Sequence, residues 1–115
     1  MRLSLLSSDG IVCRVVCSGD MTLLDLQDDA DPLRELFGPG YFRNRVLLNL
    51  EQVTYMDTGI VGWLMQCHQR FLDNGGRLIL HSVPPRVDQL FQLLRLRSVL
   101  HVTDDESAAL KLAGG

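Results

Sequence analysis

No stretch of this chain is apolar for long enough to cross a bilayer, and its first residues lack the charged, apolar and small-residue segments of a secretory leader. Basic residues are sparse and scattered: 11 Lys and Arg stand against 14 Asp and Glu, the net charge is −3, and only Arg95 and Arg97 come near to forming a patch. Nucleic-acid binding rests on clustered cations, so this balance offers it no electrostatic footprint. Cys13, Cys17 and Cys67 are too few for a disulfide framework, and one would be left over in any pairing. If Cys13 and Cys17 share a strand, their Cα atoms lie about 13 Å apart at about 3.3 Å per residue, beyond disulfide reach, and they read as small core hydrophobes. No CxxC or HxxxH pair occurs among these cysteines and His68, His81 and His101, so zinc has little to bind. Missing too are the GxxxxGK[ST] phosphate loop, the GxGxxG dinucleotide turn and the GxSxG nucleophile elbow; Gly59 and Gly62 make only GxxG. The expectation is a cytoplasmic binding module that is not an enzyme, needs no cofactor or metal, and neither binds nucleic acid nor inserts into a membrane.

What is present is enough for a folded core. At 115 residues with 46% hydrophobic and 22% charged, the chain fits one domain over residues 1–115 without disulfides, and its charge content excludes disorder. Leu3 to Ser7 and Ile11 to Ser18 flank Ser8-Asp9-Gly10, a hairpin signal, with Gly19 ending the second strand. Ile11, Cys13, Val15 and Cys17 form a wholly apolar face opposite a mixed one, which makes this strand internal but not central. The aspartates from Asp25 to Asp31 lack the glycine and distal glutamate of a calcium loop and read as a solvated loop or an acidic helix start. Pro32 to Phe37 forms a short helix closed by Gly38-Pro39-Gly40.

The best-defined unit is a strand from Val46 to Leu50, a helix from Thr58 to about Asn74 stopped by Gly75-Gly76, and a strand from Leu78 to Val83. Both strands are nearly continuous apolar runs, the pattern of parallel strands covered on both faces, and their order implies a right-handed crossover. Pro84-Pro85 opens a further helix carrying Val87, Leu90, Phe91 and Leu94. A strand from Val99 to Val102 follows, and Asp104-Asp105-Glu106 leads a last helix through Leu110 and Leu112. The fold class is therefore α/β, with a mixed sheet of about five strands, an N-terminal hairpin and about four helices.

Within that unit, Tyr55-Met56-Asp57-Thr58-Gly59-Ile60-Val61-Gly62-Trp63 places a hydroxyl at the mouth of a helix. Asp57 can accept from a free N–H of the first turn, and a phosphate on Thr58 would meet the positive end of the helix dipole. Taken alone, these residues read equally as a plain cap followed by a first-turn residue. At about 100° per residue, Ile60, Leu64, Cys67 and Phe71 share one side, whereas Thr58, Gly62, Met65, Gln69 and Asp73 group opposite on an open stripe. Gly62 lets another backbone approach there, and Met65 and Trp63 can anchor a partner. For Trp63, packing beneath a neighbouring element is an equal alternative.

The run from Val46-Leu47-Leu48-Asn49-Leu50 through Tyr55 to Gly62, followed by Gly75-Gly76-Arg77-Leu78-Ile79-Leu80, resembles the STAS domain of bacterial anti-sigma factor antagonists. Gly19-Asp20 resembles that family's Gly-Glu-Leu-Asp corner, and Asp105 to Leu110 its last helix start, so the likeness covers nearly the whole chain. The resemblance implies a protein that switches partners, binding an anti-sigma factor that is also a serine/threonine kinase. The kinase phosphorylates the hydroxyl after the motif aspartate, here Thr58, and a phosphatase reverses the step. It implies a partner-binding set of Asp20, Thr22, Asp57, Thr58, Gly59, Gly62, Trp63, Met65, Gln66 and Gln69. Three positions depart from the family pattern: Gly59-Ile60-Val61-Gly62 replaces a second hydroxyl residue and Gly-Leu-Gly, Asn49 replaces a strand-end aspartate, and Thr22 replaces the corner aspartate. The same family also includes unphosphorylated scaffolds, subunits of lipid-transport complexes and tails of anion transporters.

Overall fold

The N-terminal alternation of apolar and polar residues is realised as two antiparallel strands, β1 (Arg2–Asp9) and β2 (Val12–Met21). The structure, a computed structural model, describes residues 1–9, 12–29 and 31–114, and side chains throughout these except at 27–29. Of the turn expected at Ser8-Asp9-Gly10, Ser8 and Asp9 instead extend β1 and pair with Cys13 and Val12, while Gly10 and the expected strand start at Ile11 lie outside the described residues. Among the described residues, the chain continues through α1 (Pro32–Phe37), β3 (Arg45–Met56), α2 (Thr58–Asp73), β4 (Arg77–His81), α3 (Pro85–Leu93), β5 (His101–Thr103) and α4 (Glu106–Leu112). The five strands form one sheet in sequence order, β2 to β5 parallel and β1 antiparallel at the edge. β2 is internal but not central, as its two-faced pattern requires.

The apolar runs of the parallel strands are explained by burial on both sides. On one face Cys13, Val15 and Cys17 of β2, Val46, Leu48 and Leu50 of β3, and Leu78 and Leu80 of β4 meet Leu33, Ile60, Leu64, Phe71, Val87 and Phe91 from α1, α2 and α3. On the other face Leu47 and Ile79 meet Ala109 and Ala113 at the C-terminal helix. Burial raises the Cys17 and Cys67 thiols to about 12, so both stay protonated as core groups. Arg45 and Arg77 donate to the carbonyls of Ala113 and Leu112, closing the end of α4 with cations where its dipole favours them.

Several boundaries differ from the sequence reading. Gly19 does not end its strand: it takes a left-handed φ of +79° at an irregularity in the β2–β3 register, and β2 runs on to Met21. β3 extends six residues past Leu50, because Gln52 to Met56 continue to pair with Ser18 to Met21. β4 stops at His81, since Ser82 turns to a φ of +57° while its N–H bonds to the Asp104 carbonyl. Val99 follows a short 3₁₀ turn, Leu96–Ser98, and the last strand begins only at His101. In α4 Ala109 is buried, as is Ala113 at its C-cap, and Leu110 faces outward. Two aspartates of the acidic segment serve as caps: Asp31 accepts from Leu33 and Arg34 at the start of α1 and from the Tyr41 hydroxyl at 2.6 Å, while Asp25 accepts from the Thr22 N–H at 2.8 Å.

Candidate functional site

The extended ends of β2 and β3 lie side by side, with Asp20 opposite Tyr55 and Met21 opposite Met56, and the Asp57 N–H bonds to the Met21 carbonyl. This pairing brings the corner after β2 against the start of α2, two segments more than thirty residues apart in sequence. Asp57 joins them: its Oδ1 accepts from the Ile60 N–H and its Oδ2 from the Leu23 N–H, both at 2.9 Å. The first bond is the expected cap; the second, which spaces along α2 could not show, fixes the 3₁₀ turn Leu23–Asp29 to the helix mouth. Thr58 is the first residue of α2, and it is exposed.

The predicted residues fall into two groups. Asp20, Thr22, Asp57, Thr58 and Gly59 come together at this corner. Thr54 donates to Asp20 at 2.6 Å, Thr22 donates from its hydroxyl to Asp25, and a Cβ on Gly59 would stand 2.8 Å from the Cβ of Leu23. Gly62, Met65, Gln66 and Gln69 run away along the exposed side of α2, Gln69 lying about 16 Å from Thr58 at about 1.5 Å per residue. Gln69 donates to Asp73 one turn on. Trp63 is half-buried and packs against the main core, so of its two readings the packing one describes its position.

Spacing missed the exposure of several large apolar side chains on the elements that meet here. Leu23, Leu24 and Tyr55 are 58%, 72% and 50% exposed, and Met65, about two turns along α2 from Thr58, is exposed as well. No periodic pattern sets Leu23-Leu24 apart after Met21-Thr22, and their exposure depends on the tertiary fold. Among the described residues, no three His, Cys, Asp or Glu side chains group to hold a metal, and no helix is long and apolar enough to cross a membrane.

Gly62 lies in the helix interior, and a Cβ there would meet nothing within 4 Å. Gly62→Ala therefore stabilises the free protein by about 0.5–1 kcal/mol through helix propensity, measured by urea unfolding. A loss of stability would show that the position is packed.

A family model described as the STAS domain matches residues 8–109. Among solved structures, a candidate anti-sigma factor antagonist from Thermotoga maritima superposes with a TM-score of 0.82 at 17% identity, covering 98% of this chain and 95% of that one. The anti-sigma factor antagonist SpoIIAA in its unphosphorylated form gives 0.72 at 19% identity, over 99% and 98% of the two chains. The Bacillus cell fate determinant SpoIIAA in its phosphorylated form gives 0.65 at 18% identity, over 96% and 99%. At these identities the structural likeness is one of fold.

Proposed function

Because this chain belongs to the STAS domain family, we propose that it acts as an anti-sigma factor antagonist, a cytoplasmic partner-switching protein that binds an anti-sigma factor kinase and is phosphorylated on Thr58. The observation that carries this reading is the exposed Thr58 at the first position of α2, in one cleft with Tyr55 and next to Gly59, against which Leu23 packs. The chain supplies the acceptor, and the chemistry is the partner's. Thr58 Oγ forms a bond to the γ-phosphorus of ATP held by the kinase, the bond to the ADP oxygen breaks, and the hydroxyl proton passes to a base of the kinase.

Unmodified, the surface offers apolar contact and a small hydroxyl. Phosphorylated, it carries about −1.5 to −2 charges that require water or cations, so a close apolar interface around Thr58 is lost by desolvation and repulsion. A swing from 99% bound to 1% bound needs about 5.5 kcal/mol of differential affinity, which requires the phosphate to lie inside the contact area rather than at its rim. A phosphatase returns the protein to its binding form.

The direct test is incubation with a kinase-type anti-sigma factor and ATP, followed by mapping of the phosphate by mass spectrometry; modification elsewhere, or none by a kinase that binds, refutes the reading. Thr58→Glu is expected to weaken that kinase's binding by about tenfold or more, since one charge in the contact area costs at least about 1.4 kcal/mol. Thr58→Ala is expected to bind as the unaltered protein does. Equal affinity of the two variants would favour an unphosphorylated scaffold or transport-complex subunit that uses the same helix face.

A further inference from the structure

Between the mouth of α2 and the first turn of α3 lies a cleft of about 530 Å³ whose walls include Asp57 and Thr58 on one side and Arg86, Val87 and Leu90 on the other. Arg86 follows Pro85 in the first turn of α3, where the helix dipole disfavours a cation. It is exposed, and among the described residues it forms no ion pair. Neither packing nor capping accounts for a guanidinium at this place. Asp57 shares the cleft, but both of its oxygens are engaged by the Ile60 and Leu23 N–H groups.

Resting on the reading that Thr58 is phosphorylated, we infer that Arg86 is the internal partner of that phosphate, pairing with it across the cleft. The inference follows from charge. The unmodified cleft contains one carboxylate and one guanidinium; a phosphate adds about two negative charges beside Asp57, and Arg86 is the cation in the same wall that offsets them. A guanidinium presents paired N–H donors that match two phosphate oxygens, a geometry that an ammonium lacks. In the unmodified state the same Arg86 is free, so the device acts only after transfer has occurred.

The test uses the full chain with phosphothreonine installed at position 58 by ligation or codon reassignment, which needs no kinase, and follows the ³¹P resonance through its second ionisation. Relative to this protein, Arg86→Gln is expected to raise the phosphate pKa by about half a unit or more, toward the ordinary value near 6, because a nearby cation favours the dianion. Arg86→Lys retains part of the shift, and added salt at about 0.5 M narrows the difference. Arg70→Gln, about 18 Å away along α2 and equally a loss of one charge, leaves the titration in place. Superimposable curves for the Arg86→Gln and unsubstituted phosphoproteins, both folded by thermal melt, overturn the inference. The regulatory reading fails separately: a kinase that binds without modifying Thr58 refutes phosphorylation control, whatever the ³¹P titration shows of Arg86.

Discussion

Gly76→Ala is expected to cost this protein about 3 kcal/mol, the upper end of the range for forced overpacking. A Cβ at this position would stand 2.1 Å from the Phe42 carbonyl oxygen and 2.4 Å from that of Asn44. Both obstacles are backbone, so no rotamer change relieves them. The 3₁₀ turn Tyr41–Arg43 would have to move, and with it the rings of Tyr41 and Phe42, which pack edge-on to Phe71 at centroid distances of 5.7 and 5.4 Å. The same movement stretches the bond from the Arg77 N–H to the Asn44 carbonyl that starts β4. Gly75 provides the contrast. It has open space around it but a φ of +82°, so alanine there meets only backbone strain of about 1–2 kcal/mol, and asparagine is better tolerated. Urea unfolding of the two alanine variants separates the causes; equal losses at the two positions would contradict the close approach at Gly76.

Stability is also expected to fall as pH drops from about 7.5 to 5.5, because three histidines are held neutral by the fold. His68 on α2 and His101 on β5 meet edge to face with ring centroids 4.9 Å apart, and His68 Nδ1 and His101 Nε2 are buried without a hydrogen-bond partner among the described residues. Burial lowers the pKa of His68; burial, then the neighbouring His68 and Arg77, lower that of His101. His81, with Ser82 Oγ 2.8 Å from its Nδ1, is lowered by burial and by Arg14, against the opposing pull of Glu106 and Asp105. Each folded-state value therefore lies below the unfolded one of about 6.5. Above that value both states are neutral and nothing is gained or lost. Below it the unfolded chain takes up protons first, so stability decreases by at most about 1.4 kcal/mol per pH unit for each histidine until the folded-state value is reached. The urea midpoint is expected to fall over this window, with a smaller slope in His101→Asn. An identical midpoint at pH 8 and pH 5.5 would disprove it.

The alternation of Cys13, Val15 and Cys17 and the continuous run at Val46 to Leu50 were legible because burial leaves a repeat in the chain itself. The exposed stripe of α2, from Thr58 through Gly62 and Met65 to Gln69, was read from helical spacing for the same reason. Strand ends were less legible: residues 51 to 56 carry exposed polar groups, and their strand conformation depends on pairing with β2. The exposure of Leu23 and Leu24 was not legible, since nothing local distinguishes an exposed Leu23 from a buried Leu33.

The order of strands and helices, the capping of α2 by Asp57 and the placing of a hydroxyl directly after it were determined by the sequence alone, because each depends on neighbours within a turn or two. Only the tertiary structure decided that Asp57 also holds Leu23, that Gly76 admits no side chain, that His68 meets His101, and that Arg86 shares a cleft with Thr58. Those are meetings of residues distant along the chain, set by sheet register and helix packing, and no local pattern encodes them.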